Sequence, residues 1–284
     1  MQQIKAGVVG YPVVQSLSPL IHQHWIAQYG LSGIYEHIEI IPDQFDRVIA
    51  HIKDENEYDG FNITAPYKQS IMTFCDVLED TAKDIGAVNT VIINNGHITG
   101  RNTDAFGFIA NLKMQQPALE LTGSKALILG AGGAARAVIY GLRDEGVSDI
   151  YITNRTSSKA AELAIDFQND DCNCHVVPWE ERASFSATHG IDIALTVNTT
   201  SLGMTGKSPL EFDVGKLPDG SYVYDIVYAP LYTQILNDAL ARDLKIITGL
   251  GMLLHQARPA FEAWFGIMPD LDDALINKIT KAAQ

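Results

Sequence analysis

The chain has 284 residues, of which 46% are hydrophobic and 19% charged, and its formal net charge is −14. This composition is typical of a folded globular protein with enough residues for two domains. The acidic excess argues against nonspecific binding to nucleic acids or anionic membranes, because both require clustered Lys and Arg.

The chain shows no sign of a membrane or secretory destination. No apolar run is long enough to span a bilayer, and the first residues, MQQIKAGVVG, lack a signal-peptide pattern. Three cysteines, Cys75, Cys172 and Cys174, are too few for a disulfide framework. We therefore expect a cytoplasmic protein.

Short strand-like runs alternate with helical patterns along most of the chain. The first such pairs are IKAGVVG with PLIHQHWIAQYG, IYEHIEI with DQFDRVIAHIKD, and DGFNIT with PYKQSIMTFC. This alternation predicts βαβ units and a mostly parallel sheet, and so an α/β fold.

The stretch QSLSPLIH follows the first predicted strand. Ser18 stands before Pro19, a pair typical of a helix N-cap with proline at the first helical position. Ser16 lies two residues earlier, on the same side of an extended segment. Two hydroxyls beside a helix N-terminus would make a modest carboxylate site, although capping alone would also explain Ser18.

The stretch GFNITAPYKQS ends the third predicted strand and places Lys68 about one helical turn into the next element. The free N–H groups in the first turn of a helix favour negative charge, so a lysine there needs another partner. An ordinary solvated lysine is the alternative interpretation. Asn62 and Thr64, just before it, add an amide and a hydroxyl to the same strand end.

The segment VNTVIINNGHITGRNTD has no helix between its apolar runs, and its Asn-Gly dipeptide predicts a two-residue hairpin turn. Such a turn pairs Ile93 with Ile98 and, counting back, places Asn89 opposite Asn102. Asp104 then lies just beyond the returning strand, on the same rim as Asn89.

Amides and hydroxyls dominate this rim, as a small polyhydroxylated ligand would require. Lys68 and Asp104 are its charged groups and are our candidates for proton transfer. The sequence leaves open which of the two moves the proton.

We place a domain boundary near residue 106. Residues 1–106 form a first domain of mostly parallel sheet plus a hairpin, and residues 107–249 a Rossmann domain. The helical segment 250–284 is expected to pack back on the first domain.

A glycine-rich turn marks the second domain. KALILGAGGAARAVIYGL combines an apolar strand, Gly130-x-Gly132-x-x-Ala135 and an amphipathic helix. The small residues permit a tight turn, close approach of a pyrophosphate and close helix–strand packing. The helix N-terminus supplies N–H donors for phosphates. The residues that we expect to contact the cofactor here are Gly130, Ala131, Gly132, Gly133 and Ala134.

The next strand ends at Asn154, Arg155 and Thr156, with Lys159 a turn later. An NAD site usually has an acidic residue here for the ribose hydroxyls, whereas a guanidinium and a hydroxyl suit a 2′-phosphate. The sequence therefore favours NADP over NAD.

The stretch DDCNCH (170–175) invites a metal interpretation. Its C-x-C-H spacing lacks a second ligand pair, so we interpret it as a polar loop and expect no metal.

Several motifs resemble those of the shikimate dehydrogenase family along the whole chain. They are SLSP (16–19), NITAPYK (62–68), GAVNT (86–90), NTD (102–104), GAGGAAR (130–136), NRT (154–156), NTTSLGM (198–204), DIVYAP (225–230) and GLGMLLHQ (249–256). The resemblance implies two α/β domains around a cleft and reduction of 3-dehydroshikimate to shikimate with NADPH. It departs from the family pattern at Ile63 and Thr199, where valine and alanine are common.

The resemblance also implies roles for individual residues. The substrate carboxylate would be held by Ser16, Ser18 and Tyr228, and the ring hydroxyls by Thr64, Asn89 and Gln256. Lys68 and Asp104 would be the catalytic pair, and Ile226 and Gly249 would join the cofactor site.

Two alternatives remain open at this point. One is a quinate/shikimate dehydrogenase of dual specificity that uses NAD, and the other is a non-catalytic metabolite sensor that has kept the fold. The resemblance is compatible with a monomer or a homodimer.

Overall fold

The computed structural model describes residues 3–284, which divide into two compact units. The first unit comprises the chain up to Gly107 together with Leu254–Ala282. The second comprises Phe108–Leu253 and the last two residues.

The first unit contains a six-stranded sheet in the order β2-β1-β3-β5-β6-β4. Its strands are β1 (Ile4–Gly10), β2 (Gly33–Glu39), β3 (Gly60–Ile63), β4 (Val77–Leu78), β5 (Thr90–Asn94) and β6 (His97–Arg101). Its helices are α1 (Ser18–Gln28), α2 (Phe45–Glu55), α3 (Asp80–Ile85) and α10 (Asp273–Ala282), with 3₁₀ helices at Pro42–Gln44 and Ser70–Phe74. Two further helices, α4 (Asp104–Gln115) and α9 (Leu250–Phe265), carry the chain from one unit to the other.

The hairpin of the first unit has the predicted register. β1 pairs in parallel with β2 and β3, whereas β3, β5 and β6 are antiparallel neighbours. Ile93 lies opposite Ile98, and Asn95 and Gly96 have φ of 50° and 74°. Positive φ at both central residues is what the tight turns of hairpins require, which explains the Asn-Gly pair.

The second unit contains a fully parallel six-stranded sheet in the order β12-β11-β10-β7-β8-β9. Its strands are β7 (Lys125–Leu129), β8 (Asp149–Thr153), β9 (Asn173–Val177), β10 (Leu195–Asn198), β11 (Tyr222–Asp225) and β12 (Lys245–Thr248). Its helices are α5 (Gly133–Asp144), α6 (Ser157–Phe167), α7 (Phe185–His189) and α8 (Gln234–Ala241), with 3₁₀ helices at Trp179–Glu181 and Val214–Lys216. This is the strand order of a Rossmann fold, so the predicted fold class is confirmed.

Burial explains why these segments form these elements. All four residues of β3 and of β10 are buried, as expected for central strands covered on both faces. Helix α2 instead buries one face through Phe45, Ile49 and Ile52. Each sheet therefore has its own hydrophobic core, and the loops after the strands are left to carry polar groups.

The prediction of a polar loop at residues 170–175 is partly wrong. Asn173–Val177 forms β9 at the edge of the second sheet, and Cys172 and Cys174 are buried in the core. Only Cys174 and Val177 of this strand are buried, so its sequence has no clear apolar alternation, and the strand is identified by its parallel pairing with β8. Within residues 3–284, no group of three or more His, Cys, Asp or Glu side chains could hold a metal ion. Nor is any helix in that range both long and apolar enough to cross a bilayer.

His22 on α1 is fully buried in the first unit. Its ring stacks face to face on Tyr35, with 4.0 Å between ring centroids, and its neighbours include Trp25 and Phe261. Neither ring nitrogen has a hydrogen-bond partner among the described residues. Burial lowers the pKa of His22 to about 3, because the charged imidazolium would lose its hydration.

We expect His22 to make the folded protein sensitive to acid. The pKa of His22 is lower in the folded chain than its unfolded value of 6.5, so only the unfolded chain gains a proton as the pH falls from 6.5 towards 3. The contribution of neutral His22 to the free energy of unfolding is complete above pH 6.5. At pH 5 the free energy of unfolding is lower by about 2 kcal/mol on account of His22. Urea unfolding of the wild type and of His22→Phe at pH 7.5 and pH 5 measures the difference.

The exposed His51 on α2 provides the control, as His51→Phe should leave the pH dependence of the wild type unchanged. Parallel pH curves for the wild type and His22→Phe would contradict this account of His22.

Candidate active site

Lys68 and Asp104 form an ion pair in the first unit. Lys68 Nζ donates to Asp104 Oδ2 at 2.5 Å, and the two side chains are only 16% and 7% exposed. Asp104 is the first residue of α4, and its backbone N–H donates to the Asn102 side chain at 3.0 Å. A charged pair so little hydrated is costly unless each group is well bonded. Its surroundings therefore decide what it can do.

The Asn89 side chain lies at the centre of these surroundings and is 2% exposed. Its amide nitrogen is 2.8 Å from Asp104 Oδ1, 2.9 Å from Thr103 Oγ1 and 3.3 Å from Gln256 Oε1. Its oxygen accepts from the Thr103 backbone N–H at 2.8 Å. Both oxygens of Asp104 are thus engaged, one by an amide and one by the ammonium, whereas Lys68 has three N–H donors of which Asp104 receives one.

Lys68 does not lie in a helix, which corrects the prediction from sequence. It lies in a turn between β3 and the 3₁₀ helix Ser70–Phe74. Its carbonyl accepts from the Val88 N–H at 2.7 Å, so the chain just before Asn89 fixes the backbone of Lys68. The cation therefore meets no helix N-terminus, and Asp104 is the group that orients its side chain.

Ser16 and Ser18 lie together at the start of α1, but Ser18 is not the predicted N-cap. Ser18 is the first residue of the helix, and Leu17 holds the cap position without a side-chain bond. The Ser16 hydroxyl lies 3.2 Å from the Ser18 hydroxyl and accepts from the Ser18 N–H at 3.3 Å. The Ser16 carbonyl in turn lies 3.0 Å from His37 Nε2. The two hydroxyls thus converge, as a carboxylate site would need.

Asn62 and Tyr35 connect these parts of the first unit. The Tyr35 hydroxyl donates to Asn62 Oδ1 at 2.6 Å, and Asn62 Nδ2 donates to the Asn89 carbonyl and to Thr90 Oγ1, both at 3.1 Å. Burial raises the pKa of Tyr35 well above its usual value, so its hydroxyl stays a neutral donor. Asn62, which the sequence places at the rim, is buried and bonds to the protein itself. Tyr35 gave no signal in the sequence beyond its place in a strand.

Thr64 and Gln256 complete the first unit's predicted set. Thr64 is half-buried just after β3, and its backbone N–H donates to Val9 at 2.9 Å. Its methyl group packs so closely on Gly10 that a side chain at Gly10 would overlap it, which explains the glycine at the end of β1. Gln256 on α9 is 8% exposed and reaches Asn89 as described.

The glycine-rich turn of the second unit separates two roles. Gly130 has φ of +114°, and an added Cβ would lie 2.6 Å from Thr199 Oγ1. Gly132, the N-cap of α5, has ordinary φ, and an added Cβ would meet no atom within 4 Å. Ala135, one turn into α5, is fully buried against the sheet. Gly130 is thus required by the protein itself, whereas the space at Gly132 fits a bound phosphate at the helix N-terminus, beside Ala131, Gly133 and Ala134.

The end of β8 presents cations without a carboxylate. Arg155, Thr156 and Lys159 are exposed, and no described residue forms an ion pair with Arg155 or Lys159. Asn154 Nδ2 donates to the Thr156 carbonyl at 2.9 Å and shapes the turn before α6. This arrangement can bind an anionic group from solution.

The last three predicted residues also lie at carboxyl ends of strands in the second unit. Ile226 and the half-buried Tyr228 follow β11, and Gly249 follows β12. An added Cβ on Gly249 would overlap the Ile226 carbonyl and lie 2.8 Å from the Asp225 carbonyl. The close backbone approach of these two loops explains the glycine.

Three family models match the chain. The shikimate dehydrogenase substrate binding domain matches residues 8–91, the shikimate/quinate 5-dehydrogenase model matches residues 111–198, and the shikimate 5′-dehydrogenase C-terminal domain matches residues 249–274.

Individual proteins match over nearly the full length. A shikimate dehydrogenase (NADP(+)) of Paramagnetospirillum magneticum is 46% identical over 95% of either chain. The structure of shikimate 5-dehydrogenase from Thermus thermophilus in complex with NADP(H) and shikimate is 34% identical, with a TM-score of 0.84 over 99% of this chain and 100% of that one. Quinate dehydrogenase from Corynebacterium glutamicum in complex with NAD is 28% identical, with a TM-score of 0.83 over 99% and 98%.

We expect alanine at Gly130 and alanine at Gly132 to affect different properties, the first stability and the second cofactor binding. Gly130→Ala should destabilise the protein by about 1–3 kcal/mol, because the new Cβ meets Thr199 and requires a strained backbone. Gly132→Ala should leave stability within about 0.5 kcal/mol of wild type, since the surface there is open. It should nevertheless weaken NADP binding at least roughly tenfold, by filling the space for the pyrophosphate. Thermal unfolding of the apo protein and NADP⁺ titration by calorimetry measure both; normal NADP⁺ affinity in Gly132→Ala would contradict this prediction.

Proposed function

The chain belongs to the shikimate dehydrogenase family, and we propose that it catalyses the reversible NADPH-dependent reduction of 3-dehydroshikimate to shikimate. The observation that carries this proposal is the Lys68–Asp104 ion pair, set among amides and hydroxyls of the first unit. Its three free cysteines suit a reducing compartment, and we propose that the enzyme acts in the cytoplasm as a monomer or homodimer.

Lys68 is the proton donor in this proposal. When bound, NADPH supplies the hydride that reduces the ketone. The ketone oxygen then needs a proton, and Lys68 carries N–H donors beyond the one given to Asp104. Asn89 binds one oxygen of Asp104 and so fixes the carboxylate. The other oxygen of Asp104 then keeps the Lys68 ammonium in place. In the reverse direction the same lysine receives the proton from the hydroxyl.

The remaining groups of the first unit would orient the substrate. The converging hydroxyls of Ser16 and Ser18 suit the substrate carboxylate. Thr64 and Gln256, like Asn89, present a hydroxyl or amide that suits a ring hydroxyl.

The second unit supports NADP as the cofactor. Glycines that leave a helix N-terminus accessible suit the pyrophosphate, and Arg155, Thr156 and Lys159 suit the 2′-phosphate. The position where an NAD enzyme usually has a carboxylate is Asn154. This favours the NADP-dependent shikimate enzyme over an NAD-dependent enzyme of dual specificity.

We expect Lys68→Ala and Asp104→Ala each to lower kcat by roughly 10²–10⁴-fold, the usual effect of losing a positioned acid or base. The double variant should lose less than the product of the two single losses, because the pair acts as a unit. KM for 3-dehydroshikimate should change less in Lys68→Ala, since the amides and hydroxyls remain. Reduction of 3-dehydroshikimate followed by NADPH absorbance measures all three.

Lys83→Ala is the control for the lysine. Lys83 lies in the same unit and pairs with Asp80, but its side chain is 56% exposed, so kcat and KM should stay at wild-type values. A Lys68→Ala variant with near-normal kcat and a raised KM would make Lys68 a binding group and refute its role in proton transfer.

We expect Arg155→Ala to weaken NADP binding by roughly ten- to a hundredfold, because a hydrogen bond to a charged group contributes about 1.5–3 kcal/mol. Binding of NAD, which lacks the 2′-phosphate, should barely change. Asn154→Asp should go further, since its carboxylate repels the phosphate and accepts from the ribose hydroxyls of NAD. The ratio of kcat/KM for NADPH over NADH in the wild type and both variants measures this preference.

The exposed Lys216 in the second unit provides the control, and Lys216→Ala should leave that ratio unchanged. A wild-type ratio near one, or equal losses for both cofactors in Arg155→Ala, would rule out NADP selectivity at these residues.

A further inference from the structure

Asp225 is a buried carboxylate to which the proposed reaction assigns no role. It is the last residue of β11 and is fully buried. Burial raises the pKa of Asp225 to about 6, and the interactions that oppose this shift are hydrogen bonds from neutral groups. No described residue forms an ion pair with it. Burying an unpaired carboxylate costs free energy, so its hydrogen-bond partners should indicate its role.

Three donors surround the Asp225 carboxylate. Oδ1 accepts from the Val227 backbone N–H and from Asn198 Nδ2, both at 2.9 Å, and Oδ2 accepts from the Thr233 hydroxyl at 2.6 Å. Thr233 stands at the N-cap of α8 but makes no side-chain bond to the helix. The bond to Val227 closes a tight turn over Ile226.

Asn198 extends this arrangement to the loop after β10. Its Nδ2 also donates to the Leu202 carbonyl at 3.1 Å, and its Oδ1 accepts from the Thr200 N–H and hydroxyl at 3.0 and 2.7 Å. The hydroxyl of Thr199, which lies between Asn198 and Thr200 in the chain, donates to the Leu129 carbonyl at 2.8 Å. Leu129 ends β7, immediately before the glycine-rich turn.

Asp225 thus lies where four loops of the second unit meet. Gly130 packs against Thr199, Asn198 begins the second loop, Ile226 begins the third, and Gly249 approaches the Asp225 carbonyl. Three of these loops contain residues that the family resemblance assigns to the cofactor, namely Gly130, Ile226 and Gly249.

We propose that Asp225 is a positioning residue for NADP. Its hydrogen bonds fix the loops after β10 and β11, and the bond from Thr199 to the Leu129 carbonyl joins the loop after β10 to the glycine-rich turn after β7. The inference rests on the proposed function for the identity of the ligand. It concerns hydrogen-bond geometry and not the charge of the carboxylate, and the chain allows these two to be separated.

Asp225→Asn removes the charge but can keep every contact. The amide oxygen can accept from Val227 and Asn198, and the amide NH₂ can donate to the Thr233 hydroxyl, which turns to accept. Asp225→Ala removes all three contacts and leaves three buried donors unpaired. Both variants lack the charge, so a difference between them reports on the hydrogen-bonding side chain and not on the charge.

We expect the dissociation constant of NADP⁺, measured by calorimetry, to rise at least tenfold in Asp225→Ala and to stay within about threefold of wild type in Asp225→Asn. KM for NADPH should follow the same order, whereas kcat with both substrates saturating should change less than KM. Thermal unfolding of the apo proteins reports separately on folding.

Asp149→Ala is the matched control. Asp149 lies in the same unit and is bonded to Ser148, Asn173 and His175, but it begins β8, at the opposite edge of the sheet. It should leave NADP⁺ affinity unchanged even if it lowers stability. If Asp225→Ala does not fold, Thr233→Val removes the single bond to Oδ2 and should raise the dissociation constant of NADP⁺ by roughly two- to fivefold.

Three outcomes would overturn the inference: equal losses of affinity in Asp225→Asn and Asp225→Ala, unchanged affinity in a folded Asp225→Ala, or unchanged affinity in Thr233→Val when Asp225→Ala is unfolded. Equal losses in Asn and Ala would assign the effect to charge. Failure of the proposed function is a separate result, since it appears in the wild type as no binding of NADP⁺ or no reduction of 3-dehydroshikimate.

Discussion

The proposed catalytic pair depends on one short segment, GAVNT at residues 86–90. The Val88 N–H binds the carbonyl of Lys68, and the Asn89 side chain binds the carboxylate of Asp104. Two adjacent residues therefore hold both members of the ion pair from one side. A poorly hydrated ion pair is stable only if its geometry is good. The contacts of Val88 and Asn89 maintain that geometry and so offset the cost of burying the pair. Asn62 supports it in turn by binding the Asn89 carbonyl.

The sequence predicted those parts of the fold and site that local chemistry determines. The Asn95–Gly96 turn defined the register of the hairpin, and that register brings Asn89 beside Asp104. The glycine pattern and the alternation of strands and helices similarly identified the Rossmann fold. In each case a residue type met a backbone or packing requirement over a few neighbouring positions.

The sequence missed features of two kinds, namely helix starts that local composition does not determine and bonds between residues distant along the chain. Ser18 had the composition of an N-cap, but the helix begins at Ser18 itself with Leu17 as its cap. Lys68 was expected within a helix because the pattern PYKQSIMTFC does not distinguish an α-helix from a turn followed by a 3₁₀ helix. The bond from Tyr35 to Asn62, 27 residues apart, leaves no local trace. Because the sequence gives no sign of this bond, the structural amide of Asn62 was interpreted as a ligand-binding group.

The distribution of aromatic side chains makes the first unit visible by spectroscopy on its own. Trp25 and Trp264 are buried there, and their indole N–H groups donate to the carbonyls of Asp270 and Val91. The remaining tryptophan, Trp179, is half-buried in the second unit beneath a guanidinium. Intrinsic fluorescence will thus report mainly on unfolding of the first unit, whereas circular dichroism averages over both units. Non-coincident transitions by the two probes would reveal that the units melt in separate steps.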